Sequence, residues 1–253
     1  MPFTASHTAI ILPLLKRRMF SVSGLIMGSM VPDFEFFIRL EAHVVHGHSF
    51  WPMFWLNIPT ALFCITLYHL VVRNQLILNL PFYFKKRFQP FLNFDWISYV
   101  RTHYVKVLYS ILVGNMSHLL WDSFTHYDGF VVTKIAFLNT EYWQIPMYLI
   151  MQYGFSVLGA LAILNFISKM PSHRLKGQVL SGKVFWYWFG ILLVTALVYF
   201  LRYDIEDYHS FGAKIVFICA GFLFGLILIS AAYNVLRSNR PMRFSKQYQT
   251  KKL

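Results

Sequence analysis

Five apolar stretches, at about 53–72, 107–121, 145–168, 184–201 and 215–236, run without a single Asp, Glu, Lys or Arg. Crossing the hydrocarbon core of a bilayer takes about 20 predominantly apolar helical residues. The last three runs reach or nearly reach that length, and the second can be lengthened upstream through Tyr104. The composition agrees: 13% of the residues are charged, 57% hydrophobic and 19% aromatic, whereas soluble domains carry roughly 25% charged residues. The expected fold is therefore all-α, a polytopic transmembrane bundle with about five spanning helices. No Gly/Ser-rich or Pro-rich linker, charge block or repeat divides the chain, so residues 1–253 read as one membrane domain. Within it, 1–130 carries the candidate chemistry, 145–236 reads as supporting helices and 237–253 as a basic tail. Glycines in the later runs, Gly154, Gly159, Gly221 and Gly225, are expected to serve close helix packing. Cys64 and Cys219 lie inside apolar runs without CxxC or Cys/His spacing, which argues against disulfides or a Cys-based zinc site.

The net charge of +13 would suggest nucleic acid in a soluble protein, but its placement gives another explanation. Nineteen of the 23 Lys and Arg fall in 16–18, 73–106, 169–183 and the tail after Leu236. Segments 32–54, 122–144 and 202–214 hold Arg39, Lys134, Arg202 and Lys214, together with nine of the ten acids, Asp95 being the exception. The two sets alternate, so the positive-inside rule places the first set in the cytoplasm and the second outside. These features predict a multi-pass protein of a bacterial-type inner membrane, with a cytoplasmic C-terminus, membrane lipid as its surroundings and no nucleic-acid partner. The tail reads as a topology anchor that also attracts anionic lipid. At the N-terminus the cations follow the first apolar stretch instead of preceding it, unlike a cleaved signal. Residues 8–15 and 19–31 are too short to span, and Lys16, Arg17 and Arg18 separate them. Two short helical limbs are expected, forming a hairpin in or against the membrane with His7 and Asp33 at one end.

The segment Gly114-Asn115-Met116-Ser117-His118-Leu119-Leu120-Trp121-Asp122-Ser123-Phe124-Thr125-His126 closes the second run. Helical positions i, i+4 and i+8 drift by only about 40° per step, so His118, Asp122 and His126 share a face. Imidazole nitrogen and carboxylate oxygen suit Zn²⁺ or Mn²⁺. The plainer alternative is a hydrogen-bonded His118–Asp122 pair at the interface. Asp33, after Pro32, is either a ligand or a helix N-cap. His43, His46 and His48 crowd one loop and are either ligands or solvated imidazoles. The topology drawn from Lys and Arg places all of these residues on the outer side, and His7 joins them if the hairpin forms. His69, His103, His173 and His209 lack a suitable neighbour there.

Met1-Pro2-Phe3-Thr4-Ala5-Ser6-His7, Gly28-Ser29-Met30-Val31-Pro32-Asp33-Phe34-Glu35 and the Ser117–His126 segment resemble a bacterial family of membrane proteins of unknown function. More distantly they are similar to the YdjM-type inner-membrane proteins described as metal-dependent hydrolases. The order of ligands also resembles that of the zinc-dependent phospholipase C and single-strand nuclease group. That resemblance implies a first ion, expected to be zinc, on Asp33, His48, His118 and Asp122. It implies a second on His7 and a bridging Asp122, with His126 completing a site or moving protons. The chain lacks the second HxxxD or HxxxE and the N-terminal Trp of that group. The expectation is a membrane-embedded hydrolase with one or two divalent ions, acting on a phosphoester or lipid-linked substrate. Asp122 would lie at its centre, with His126 or Glu35 as candidate general base. A non-catalytic protein with a structural or transported metal is the alternative, and a plain bundle without metal the third reading.

Overall fold

The computed structural model describes residues 3–41, 46–174, 181–202 and 211–238. Nine helices organise these residues: α1 (Thr4–Leu14), α2 (Val22–Gly28), α3 (Phe34–Arg39), α4 (Met53–Asn79), α5 (Phe82–Phe88), α6 (Trp96–Asp122), α7 (Met147–Ser168), α8 (Ser181–Leu201) and α9 (Phe211–Ser238). Two-residue strands β1 (Glu141–Tyr142) and β2 (Ile145–Pro146) pair antiparallel before α7. The expected all-α membrane architecture is what the chain adopts.

Four stretches are long and apolar enough to cross a membrane: Met53–Asn79, Met147–Ser168, Gly182–Leu201 and Gly212–Leu236. Their outward side chains, such as Leu158, Leu161, Leu192, Leu193, Leu197 and Leu228, remain exposed. An apolar surface of that extent is stable against lipid and unstable against water. The fifth expected crossing lies in α6. That helix has 27 residues, about 40 Å at 1.5 Å per residue. It is not among the four apolar spans, because Arg101, Lys106 and Asp122 interrupt its hydropathy. Asp95 starts it by accepting a hydrogen bond from Ser98 N at 3.0 Å, and the backbone leaves helical geometry at His103.

The N-terminal limbs form the expected hairpin, and it is inserted between α6 and α7. Against α6 the fit requires glycine. A Cβ on Gly28 would lie 2.3 Å from Ile111 O, and one on Gly114 would lie 2.4 Å from Leu25 O. Ser21 N donates to Ser110 Oγ at 2.7 Å across the same contact. Against α7, Ser6 Oγ donates to Ser156 O at 2.6 Å, and a Cβ on Gly159 would come within 2.8 Å of Ser6. Small residues on all sides let the backbones close in, and His7 is carried into the interior with them.

Gly221 and Gly225 play the expected packing role, meeting Thr195 and Ile191 of α8. Gly154 does not, since a Cβ there would meet nothing within 4 Å among the described residues. Cys64 and Cys219 are free thiols. At the far end of α4, Arg73 donates to Phe94 O at 2.7 Å and Leu92 O at 3.3 Å, fastening α4 to the segment before α6. His69, one turn earlier, contacts Ser23 and Arg73 and stacks on Trp96, away from the other histidines.

Candidate metal centre

Three separate stretches of chain supply the buried polar cluster. Asp33 ends a 3₁₀ turn, Val31–Asp33, that leads into α3. It occupies the N-cap position of α3, yet its side chain makes no capping hydrogen bond. Its carboxylate instead turns inward and is wholly buried. The capping alternative is thereby excluded.

His48 is seated by its neighbours. Glu35 Oε2 accepts hydrogen bonds from the backbone N of His46 at 3.0 Å and of Gly47 at 2.7 Å. Asn57, in the wide first turn of α4, donates to Gly47 O at 2.9 Å. A Cβ on Gly47 would collide with Pro32 O at 2.4 Å. Glu35 and Asn57 therefore clamp the loop, and glycine lets it approach Pro32 closely enough for His48 to reach Asp33.

His118 and Asp122 come from the last turns of α6, one turn apart on its buried face. His118 Nδ1 lies 2.9 Å from the carbonyl oxygen of Ser29. A carbonyl only accepts, so Nδ1 carries a proton and Nε2 is turned inward, able to offer a lone pair whenever it is not itself protonated. Outer-shell carbonyls commonly fix metal-binding imidazoles in this way.

Four ligand atoms then converge. His48 Nε2 lies 3.2 Å from Asp33 Oδ1, 3.1 Å from Asp122 Oδ2 and 3.2 Å from His118 Nε2. His118 Nε2 lies 3.5 Å from Asp33 Oδ1 and 3.0 Å from Asp122 Oδ2. All four atoms fall within 4.8 Å of one another. Bonds of about 2.0–2.1 Å to a tetrahedral ion place ligands roughly 3.3 Å apart, and these five separations bracket that value. The oxygens of Asp33 and Asp122 are buried without a hydrogen-bond donor of good geometry among the described residues. Two buried carboxylates without donors are costly, and a divalent cation neutralises both. The set fits a borderline ion such as Zn²⁺, Mn²⁺ or Co²⁺.

With no ion bound, protons take over that compensation. Burial would push the Asp33 carboxyl up, but the charge of the facing His118, together with His48, holds it well below the usual carboxylate range. For His48 burial opposes protonation, while the facing carboxylates of Asp122 and Asp33 raise it above ordinary imidazole. Protons and metal therefore compete for this cage.

Other expected site residues lie around the four. His7 is fully buried, stacks on His118 at 3.8 Å between ring centroids, and directs Nε2 to Asp122 Oδ1 at 3.5 Å. Burial and the neighbouring His118 push it down to about 3, leaving it neutral. His126 Nδ1 lies 3.4 Å from the same oxygen. Neither residue belongs to the compact four-ligand group. His46 faces Glu35 and Trp55 instead, and His43 and His209 lie outside the described residues. Glu35 binds the backbone of the His48 loop and contacts Arg39.

Sequence reasoning missed Ser29, Asn57, Gly47 and Gln152. Three of these left a signal in the sequence: Gly47 between two histidines, and Asn57 and Gln152, amides in mostly apolar runs. Ser29 acts through its backbone and leaves no trace in residue type.

No curated protein and no solved structure matches this chain. These comparisons show no similarity to the YdjM-type proteins or to the phospholipase C and nuclease group. A family match does cover residues 1–231, nearly the whole of the described structure. By that match the chain belongs to the family described as "Domain of unknown function (DUF4184)".

Proposed function

We propose that this protein is a membrane-embedded, metal-dependent hydrolase whose ion, expected to be zinc, is held by Asp33, His48, His118 and Asp122. The carrying observation is His118: its Nδ1–H is committed to Ser29 O at 2.9 Å while Nε2 faces two buried carboxylates. Nε2 so placed needs either a proton of its own or a cation shared with the two anions, and a divalent ion satisfies all three groups at once. When bound, the ion would supply Lewis acidity and lower the pKa of a coordinated water.

The chain's own residues set the rest. Asp33 and Asp122 neutralise the ion, and buried His7 and His118 wall off the inner side. His48 and His126 are about one-quarter exposed and form the opening through which a substrate would arrive. Asp122 Oδ1 faces His7 and His126 rather than the cage. A second ion would therefore be bridged by Asp122 and held by His7. Glu35 is not assigned the base's role, because its carboxylate is engaged with the His48 loop.

Exposed aromatic residues follow both histidines of the opening along the chain, Phe50, Trp51, Phe54 and Trp55 after His48 and Tyr127 and Phe130 after His126. The Trp and Tyr rings among them favour the membrane–water interface. That setting supports a phosphoester or lipid-linked substrate reached from the outer leaflet of a bacterial inner membrane.

One observation favours a non-catalytic alternative. Four protein ligands fill a tetrahedral shell, as in structural sites, whereas catalytic zinc keeps a position open. Metal analysis of the detergent-purified chain, combined with turnover of p-nitrophenyl phosphate and of phospholipid in mixed micelles, separates the readings. Hydrolysis that disappears on chelation and returns with Zn²⁺ is expected. Stoichiometric metal without turnover on either substrate class would favour the structural or transported ion, and an absence of metal after metal-replete purification would remove the site.

A further inference from the structure

His126 sits among polar groups that determine its proton. Its Nδ1 lies 3.4 Å from Asp122 Oδ1, 3.3 Å from Asp122 O and 3.4 Å from Thr125 Oγ1. The first two only accept, and a hydroxyl accepts readily. A bare lone pair at Nδ1 would face all of them, so Nδ1 carries the hydrogen. Nε2 then holds the ring's lone pair, and it is 3.2 Å from the side-chain amide nitrogen of Gln152. The amide donates and Nε2 accepts. The orientation follows from the acceptors around Nδ1 and does not depend on which way the amide alone is placed.

Gln152 belongs to α7, a helix expected to contribute packing only. Ser156 and Gly159, at i+4 and i+7 from Gln152, continue the same face and seat the α1 limb bearing His7. One stripe of α7 therefore touches His126 directly and, through Ser6, seats the limb that carries His7, the two residues that face Asp122 Oδ1.

We infer that Gln152 is a positioning residue. It fixes His126 in the Nδ1–H tautomer, so that a hydrogen rather than a lone pair faces Asp122 Oδ1 at 3.4 Å and Oδ2 is left to the ion. His126 then steadies the ligand by charge attraction and is not itself a ligand. The inference rests on Asp122 binding the ion, as proposed above. Carboxylates that bind metals are themselves oriented by hydrogen bonds, and losing an outer partner typically weakens affinity 10–100-fold.

The test uses the full chain in detergent, loaded with Co²⁺ as the sole metal, with visible d–d absorption and affinity as readouts. Thermal stability and gel filtration monitor folding. Gln152→Met removes the donor at similar volume and should weaken Co²⁺ binding about 10-fold or more and alter the spectrum. Gln152→Glu removes the donor while keeping shape, and should do at least as much. His126→Asn keeps a donor near the position of Nδ1–H and should retain stoichiometric Co²⁺, whereas His126→Leu should not. Gln152→Met binding Co²⁺ with parental affinity and spectrum would overturn the inference. So would His126→Asn losing the metal as completely as His126→Leu, which would make His126 a ligand. If the parent itself binds no Co²⁺, the four-ligand reading falls and this one falls with it, whereas a parent that binds with unaffected Gln152 variants sinks only the positioning role.

Discussion

Asp122 is the residue on which the most geometry depends, since one oxygen faces His48 and His118 and the other faces His7 and His126. Asp122→Asn keeps the size and removes the anion. The expected result is normal membrane yield with metal affinity reduced by about 100-fold or more, beyond the range for an outer partner. Metal analysis against the parent checks it, with Asp33→Asn expected to behave alike. Stoichiometric metal in Asp122→Asn would end the shared-carboxylate reading. Glu35 separates two roles by a different route. As a clamp on the His48 loop, Glu35→Gln should lower metal affinity about 10-fold, and turnover should recover at saturating Zn²⁺. As a general base, the same variant would keep its metal and lose turnover irrecoverably. Spacing alone made His118 and Asp122 legible, because one helix carries both; the Pro-Asp step offered Asp33, and the loop offered His43, His46 and His48 without choosing among them, His48 being singled out only by the resemblance. Spacing also suggested His126 as a ligand, and it lies beside the compact group, 3.4 Å from Asp122 Oδ1. Ring orientation there depends on Gln152, whose position in space no local pattern reveals.

At the level of elements, the hairpin docks where glycines remove side-chain bulk, and its tolerance should follow the distances. Gly28→Ala would drive a methyl into Ile111 O, and relief requires shifting α2 from α6. A cost of about 1–3 kcal/mol is expected from overpacking, together with reduced metal retention, since the neighbouring Ser29 carbonyl holds His118. Gly159→Leu should likewise lower folded yield by displacing Ser6. Gly154→Ala should be neutral or stabilise by up to about 1 kcal/mol through helix propensity. Thermal unfolding in detergent ranks the three, and equal effects at Gly28 and Gly154 would contradict the packing. Apolar run length exposed the spanning helices directly. It did not distinguish Gly154 from Gly159, because both lie in one apolar helix and only the neighbour's position differs. The interior placement of the hairpin was similarly hidden, since its small residues are informative only once α6 and α7 stand on either side.

For the whole molecule, the alternation of basic and acidic segments leads to a test of orientation. A reporter fused after Leu253 should be cytoplasmic, and one inserted near Asn139 should be outside, as read by protease protection in right-side-out vesicles. Cleavage of the tail from outside would reverse the direction from which a substrate approaches. The dispersion of the ligands along the chain has a further consequence in time. At about 5–20 residues per second, synthesis from His48 to Asp122 takes roughly 4–15 s. During that interval Asp33 and His48 are made but lack their partners on α6, and α7, which seats His7 and carries Gln152, comes later still. An ion held by these four residues could not guide insertion of the first helices. It would be captured afterwards, and a chain stalled before His118 would hold half a cage with no means of closing it.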